Sequence, residues 1–346
     1  MELHTTDPLS DSRWDDLVAR HPRASVFHQR GWLQALARTY GYRPFVLTSA
    51  PAGTPLTDGI VLCRVSSWIT GNRAVSLPFA DHCEPLLEDD AVFTEFANWL
   101  RTERDRQRWK YVELRPRLQN GESGGYLLRG RSYCFHTLDL TPTLEQIFQR
   151  LHKDSIQRRI RRAERERLSY ETGCSKQLLD DFYHLLLKTR RRHQLLPQPH
   201  AWFRNLVDCM GDGLEIRMAR KDGTPVAAML TLRHRSCVVY KYGCSDEQFH
   251  SLAGMPFLFW RLIEESKASN INEIDFGRSD LDNDGLITFK DRFGTTRKRL
   301  TYVQYPQAAK GDGISRGDVP AIRRVFSILP DVLLPMASSL LYRHIG

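Results

Sequence analysis

Apolar positions along the first third of the chain switch between two periods. Residues 14–20 and 31–40 carry the helical period, the second segment placing Trp32, Leu33, Leu36 and Ala37 on one face. Short apolar runs near 44–48, 58–65 and 73–77 read as strands. Val92, Phe93, Phe96, Ala97 and Leu100 return to helical spacing, and YVELR (Tyr111 to Arg115) reads as a strand again. The stretch LQNGESGGYLLRGRS at 118–132 is crowded with turn residues and predicts a hairpin or loop. The second half repeats this order. Helices are predicted near 177–193 and 200–210, strands near 214–219, 224–234 and 236–243, a helix near 256–269 and a strand at 272–276.

The repetition is also visible in the letters. GWLQAL around Trp32 is echoed by AWFRNL around Trp202, and Gly53-Thr54-Pro55 by Gly223-Thr224-Pro225, both at a spacing of 170 residues (32 to 202, 53 to 223). YVELR and EIDFG (Glu273 to Gly277) each follow a helical segment. Two helices, an antiparallel run of strands, a helix and a further strand in each half predict an α/β chain with a mixed sheet. The order is that of the GNAT acyltransferase fold, here expected in tandem, although the pattern alone does not exclude other mixed sheets. The expected domains are 1–140, a second unit over 141–310 that begins with a basic linker helix at about 143–168, and an amphipathic helical tail over 311–346.

Composition changes this picture little. Of 346 residues 41% are hydrophobic and 26% charged, the balance of a globular protein. Seven cysteines without a C-x-x-C pair argue against a disulfide framework or zinc ribbon and for a reducing, cytoplasmic setting. MELHTTDPLSDSRW has no signal-peptide pattern, and the most apolar stretch, between Val325 and Leu341, is broken by Pro330, Asp331 and Pro335. A net charge of +9 serves solubility or points to an anionic partner: nucleic acid, a nucleotide-linked substrate or an acidic membrane surface.

Much of the positive charge sits in QRLHKDSIQRRIRRAERERL. Leu151, Ile156, Ile160, Ala163 and Leu168 form a docking stripe, while Lys153, Arg158, Arg159, Arg161, Arg162, Arg165 and Arg167 crowd the remaining face. Such a face is either solvated and laced with i,i+4 pairs or a grip for phosphates through the guanidinium fork. No aromatics are interleaved with it, so sequence-specific DNA reading is not expected. Tyr240 and Tyr242 alternate with Lys241 on a strand whose one face is a candidate cleft wall. In EIDFGRSDLDNDGLITFKDRFG, the acids Asp280, Asp282 and Asp284 look like a calcium loop, but position 12 is Asp291 rather than Glu, and no metal site is expected. Lys290, beside Phe289 at an expected sheet end, is either an exposed lysine or a cation placed to stabilise a developing oxyanion. No G-x-S-x-G elbow appears, and His193 and His200 read as surface or core histidines rather than general bases.

GLITFKDRFG (Gly285 to Gly294), preceded by DFGRS (Asp275 to Ser279), resembles the FemAB-like branch of the GNAT superfamily. So do HKDSIQRRIRRAERERL, SLPFADHCEPL (Ser76 to Leu86) and the tail LLYRHIG, over nearly the whole chain. The closest likeness is to forms without a coiled-coil arm, of the exopolysaccharide- and exosortase-associated type. The resemblance implies transfer of an acyl or aminoacyl group to an amine of a cell-envelope precursor, peptidoglycan- or exopolysaccharide-related and nucleotide- or lipid-linked. It implies no permanently bound cofactor; the donor is aminoacyl-tRNA or acyl-CoA, so tRNA is a candidate partner. Lys290 matches the lysine that offsets charge at the reacting ester, with Phe289 as its partner. Asp275, Arg278, Tyr242, Lys153, Arg158 and Arg161 are the substrate-binding candidates. The lysine expected near the Trp32 helix is absent, Arg38 being the nearest cation, and HSLAGMPFLFW (His250 to Trp260) lacks the Q/R-x-x-G-x-G/A loop that cradles a pyrophosphate. The alternatives are a catalytically inactive GNAT-like scaffold, an acyl-CoA-dependent N-acyltransferase and a nonspecific RNA binder. The tail either packs on the second unit or rests on the inner membrane. Because the Phe-Lys string occurs only in the second half, that half is expected to carry the chemistry.

Overall fold

The computed structural model describes residues 1–89, 92–117, 128–306, 338 and 341–344. The described chain divides into two compact units: residues 1–132 with 300–306, 338 and 341–344, and residues 133–299.

Unit 1 opens with β1 (His4–Thr6), α1 (Arg13–Arg20) and α2 (Arg30–Tyr40), followed by β2 (Arg43–Thr48), β3 (Ile60–Val65) and β4 (Arg73–Val75). α3 (Phe93–Arg106) then leads to β5 (Tyr111–Leu114). The helical period of α2 has a physical consequence: Trp32, Leu33 and Leu36 are fully buried, and the helix stops at Gly41 in the left-handed region (φ 70°), where a Cβ is disfavoured. Strand order is β1-β2-β3-β4-β5, closed by β12 (Thr296–Tyr305) through Val303–Tyr305; only β4 and β5 run parallel. One core joins Leu47, Leu62, Phe96, Leu100 and Val112.

Unit 2 repeats the plan. After β6 (Leu128–Asp139), α4 (Leu144–Arg150), α5 (Arg158–Arg165) and β7 (Ser169–Gly173) come α6 (Lys176–Arg192) and α7 (His200–Met210). β8 (Leu214–Lys221), β9 (Thr224–His234), β10 (Cys237–Ser245), α8 (Gly254–Ala268), β11 (Glu273–Asp280) and α9 (Asp284–Asp291) complete it. Strand order is β7-β8-β9-β10-β11-β6, again with one parallel pair, β10 and β11. The two units therefore share strand order and strand sense, and in each the closing strand comes from a distant part of the sequence.

Three expectations are corrected. The basic segment is not one helix: Leu151 turns extended (ψ 139°) to bury its side chain, and His152 caps a π-turn (Lys153–Gln157) with its imidazole before α5 begins. The docking stripe survives the break, since Ile147, Leu151, Ile156, Ile160 and Ala163 all join the core of unit 2. Residues 128–132 of the expected loop are strand, as part of β6, which carries the polar His136 on a buried strand and so lacks a clean alternating pattern. Lys290 lies on a helix, α9, not at a sheet end. The hairpin expected over 118–127 and most of the tail over 311–346 lie outside the described residues. Of the tail, Tyr342 packs on Phe79 and accepts a hydrogen bond from the Tyr42 hydroxyl within unit 1 (3.3 Å).

Candidate active site

The parallel strands at the centre of unit 2 separate part-way along their length. β10 and β11 pair at Cys237 with Glu273, Val238 with Ile274 and Val239 with Asp275, and among the described residues they have no further pairing. Both strands are irregular at that point: the β9 register of β10 shifts between Tyr240 and Tyr242, and the β6 register of β11 shifts between Asp275 and Arg278. A bulge in each strand thus coincides with the end of the ladder between them.

The β11 bulge is built by three residues of the DFGRS string and one of α9. Gly277 takes φ 70°, a conformation that costs a side-chain-bearing residue about 1 kcal/mol or more. The buried Asp275 carboxylate accepts the Gly277 N–H at 2.6 Å. From α9, the Lys290 ammonium donates to the carbonyls of Gly277 (3.0 Å) and Arg278 (3.1 Å). Lys290 is only 2% exposed, so its charge is held in a low-dielectric surrounding by carbonyl dipoles. Phe289 packs on Phe259 of α8 and on Phe293 and so fixes α9 against the sheet. Arg278 stacks on Tyr133 at 3.9 Å. Next to it, Ser279 is 2% exposed and its hydroxyl has no hydrogen-bond partner among the described residues, an unusual state for a buried oxygen.

A second group stands beside Lys290. His136 of β6 is fully buried and its Nε2 lies 3.1 Å from Asp291, which is 40% exposed. Burial, and then the charge of Lys290, hold the His136 pKa below the ordinary value, against the opposing pull of Asp291. Cys134 lies 3.7 Å from the same Nε2, but burial pushes its thiol up, away from the thiolate a nucleophile needs.

The third group surrounds the start of α8. Arg192 reaches the Ser245 carbonyl (3.3 Å) and His250 (3.2 Å), and Ser245 Oγ lies 3.0 Å from His250. Burial holds both His193 and His250 below the ordinary value. Arg192 is the next cause for each, with Arg190 adding to it at His193 and Arg159 at His250. Gly254 opens α8 where a Cβ would come within 2.8 Å of the Ala227 Cβ, so the helix start lies directly on β9.

Of the residues chosen from sequence, Asp275, Arg278, Phe289 and Lys290 are thus brought together, Asp275 as a buried builder of the turn. Tyr242 stands apart from them. Its hydroxyl accepts from Gln198 and Trp202, both at 2.9 Å, and it is 6% exposed against Phe203, a packed position rather than a cleft wall. Lys153, Arg158 and Arg161 are exposed; Arg158 pairs with Asp154 at 2.9 Å, and Arg161 lies over Phe148. The π-turn nevertheless touches the site's helix, since the His152 N–H donates to the Arg292 carbonyl at 2.8 Å. His136, Ser279, Arg192 and His250 were missed. Contiguous strings hinted at two of them, DFGRS at Ser279 and the basic run KTRRRH (Lys188 to His193) at Arg192; the others meet through strands and helices far apart in sequence.

Residues 150–290 match the acetyltransferase (GNAT) domain. Unit 2 is a GNAT acetyltransferase domain. The chain is similar in fold to FemX, with a TM-score of 0.67 at 13% identity over 88% of this chain and 97% of that one. It is also similar to the C-terminal domain of a putative lysylphosphatidylglycerol synthetase from Agrobacterium fabrum (TM-score 0.56, 14% identity, 87% and 92% covered). A tandem GNAT protein from the clavulanic acid biosynthesis pathway matches at TM-score 0.54 and 11% identity, with 88% and 98% covered. No curated protein matches in sequence. The GNAT domain makes the chain an acyltransferase, and the tandem arrangement accounts for the repeated strand plan. In unit 1 the counterpart of the β10–β11 opening is closed by its own polypeptide. Ser76 N–H bonds the Glu113 carbonyl (2.8 Å), Arg115 N–H the Ser76 hydroxyl (2.8 Å), and Cys83 N–H the Arg115 carbonyl (2.7 Å). SLPFADHCEPL is that closing loop, buried throughout, with Leu77 and Phe79 at φ 60° and 63°. Among the described residues no helix is long and apolar enough to cross a membrane.

Proposed function

We propose that the protein transfers an acyl or aminoacyl group to a primary amine of a cell-envelope precursor, with the chemistry in unit 2. The observation that carries this reading is the parting of β10 and β11 beside the Lys290-bound bulge. An extended acyl chain can lie along that parting and meet strand backbone, with Lys290, Arg278 and Ser279 at its inner end. Unit 1 offers no equivalent, since its own loop fills the place. FemX and the lysylphosphatidylglycerol synthetase domain among the structural neighbours favour an envelope or lipid-related acceptor over a protein one.

The acceptor amine attacks the carbonyl carbon of an ester or thioester. A C–N bond forms, the carbonyl oxygen becomes an oxyanion, and the C–O or C–S bond then breaks as the oxyanion collapses. The proton lost by the amine ends on the leaving alcohol or thiol. No covalent enzyme intermediate is needed, so positioning and electrostatics do the catalytic work. The Lys290 charge stabilises the oxyanion, and the Asp291–His136 pair is placed to accept the amine proton.

The donor carries phosphate. Arg192 and Arg159, with the His193 and His250 imidazoles, take the place of the missing glycine-rich loop beside the N-terminus of α8. CoA and tRNA both present such phosphates. The exposed row of Lys153, Arg158 and Arg161 favours a donor with a longer phosphate backbone. The test is to incubate the full chain with acetyl-CoA and, separately, with aminoacyl-tRNA, offering muropeptide and amino-sugar precursors, and to weigh the products. Acylated amine from either donor supports the proposal and names the donor. Intact precursors with both would favour the scaffold alternative.

A further inference from the structure

The turn between β3 and β4 of unit 1, SSWITGN, presents its two apolar residues to solvent. Trp68 is 87% exposed and Ile69 49%. Single exposed apolar residues are ordinary on protein surfaces, but a Trp-Ile pair at a tip is a different object when the tip is held rigid. This one is clamped on several sides. The Ser67 hydroxyl accepts the N–H groups of Ile69 (3.2 Å) and Thr70 (2.9 Å), and Gly71 N–H closes the turn onto the Ser67 carbonyl at 2.9 Å. The buried Arg73 donates to Thr70 Oγ1 (2.6 Å) and to the Gly71 and His344 carbonyls (3.2 and 3.1 Å). His344 returns the contact through Ser67 (3.0 Å), and its ring meets Trp68 edge-on with centroids 5.4 Å apart.

The surroundings are cationic. Lys110 lies beside Gly71, and its N–H bonds the Asn72 carbonyl at 2.7 Å; Arg108 and Arg343 are exposed on the flanking segments. The nearby acids are already matched, Glu103 with Arg106 (2.7 Å) and Asp105 with Arg104 (2.5 Å). Among the described residues no carboxylate pairs with Arg108, Lys110 or Arg343.

We propose that the Trp68–Ile69 turn docks unit 1 on an anionic lipid surface. Tryptophan favours the headgroup boundary of a bilayer, where its ring is apolar and its N–H stays wet. Ile69 enters beside it, and Arg108, Lys110 and Arg343 meet lipid phosphates, each adding roughly a fivefold gain in binding near an anionic leaflet. Two weak signals together give a reversible, salt-sensitive attachment. The proposal stands on the geometry of unit 1 and does not depend on the acyl-transfer reading.

The test uses the full chain with vesicles of phosphatidylcholine alone and of phosphatidylcholine mixed with phosphatidylglycerol, read by flotation and by quenching of tryptophan fluorescence with lipids brominated in the acyl chains. The wild type is expected to float with the phosphatidylglycerol vesicles, less so at high salt, and to be quenched. Trp68→Phe keeps the flotation and loses the quenching. Trp68→Ser with Ile69→Ser lowers binding on the order of tenfold or more, while the chain stays folded with only a small drop in melting temperature, because the Trp68 side chain is 87% exposed. Lys110→Glu lowers binding and flattens its salt dependence. No flotation, or flotation indifferent to the Trp68→Ser and Ile69→Ser changes, overturns the proposal. So does light scattering that shows self-association of the chain lost in Trp68→Ser, which would give the tip a protein partner instead.

Discussion

At the scale of single residues, Lys290 and Ser279 make opposite predictions. Lys290 ties α9 to the bulge and supplies the only charge in direct contact with the Gly277 and Arg278 carbonyls among the described hydrogen bonds. Lys290→Ala should lower turnover on the order of 10²-fold if that charge meets the oxyanion. It should also cost stability, because two carbonyls lose a charged donor. Ser279 has a buried hydroxyl without a partner, so Ser279→Ala removes a desolvation cost and should leave the protein as stable or up to about 1 kcal/mol more stable. If the hydroxyl serves the reacting oxygen, turnover falls in the same variant; thermal melting and a kinetic assay on one sample separate the two effects. For His136, Asp291 is the influence that raises its pKa while burial and Lys290 lower it. Asp291→Asn should therefore move the His136 titration to still lower pH, seen in the imidazole resonances by NMR.

At the scale of elements, the site is made by places where regular structure fails. The β11 bulge needs Gly277 at φ 70°, and Gly277→Ala should cost about 1–2 kcal/mol by chemical denaturation while disturbing the two carbonyls that Lys290 holds. The start of α8 needs Gly254, since a Cβ would come within 2.8 Å of Ala227 and 3.3 Å of Val226. Neither neighbour is the end of a flexible chain, so Gly254→Ala should push α8 off β9 at a cost of roughly 1–3 kcal/mol. Because the cationic side chains surround that helix start, donor affinity should fall along with stability. The same group predicts a pH effect. His193 and His250 sit below their ordinary pKa in the free protein, and a bound phosphate would raise them. Binding should then strengthen as pH falls through the raised values and level off below the free ones, as calorimetry with CoA or tRNA would show.

At the scale of the whole molecule, several histidines titrate low for one shared reason. Burial comes first among the causes for His136, His193, His234, His250 and His344, with His234 lowered to about 4. An unfolded chain protonates these rings near the ordinary value of about 6.5, before the folded chain does. Stability is therefore fully present above that value and lost as pH falls through the window between it and about 4. The melting temperature should begin to drop below pH of about 6.5, earlier than carboxylate protonation alone would cause. His234→Gln should recover about 1 kcal/mol of the loss, after allowance for the solvent that still reaches this half-buried ring.

Periodicity alone was enough for α2, α6, α7 and α8, because each has one apolar face that must be buried, and β9 shows as an unbroken apolar run because it is buried on both faces. The repeated order of those elements was legible for the same reason, and so was the Phe289–Lys290 string, being contiguous. Other features were settled only by tertiary structure. β6 buries a histidine among its apolar residues and pairs with a strand more than a hundred residues away, so no local pattern marks it. The basic segment reads as one helix, yet burying Leu151 required an extended residue in the middle of it. The placement of Tyr242 in packing rather than in the opening depended on a shift in strand register, and one such shift turns every later side chain to the other face. Local sequence fixes which face of an element is apolar. The assembled sheet decides where two strands part, and with that which polar groups meet at the opening.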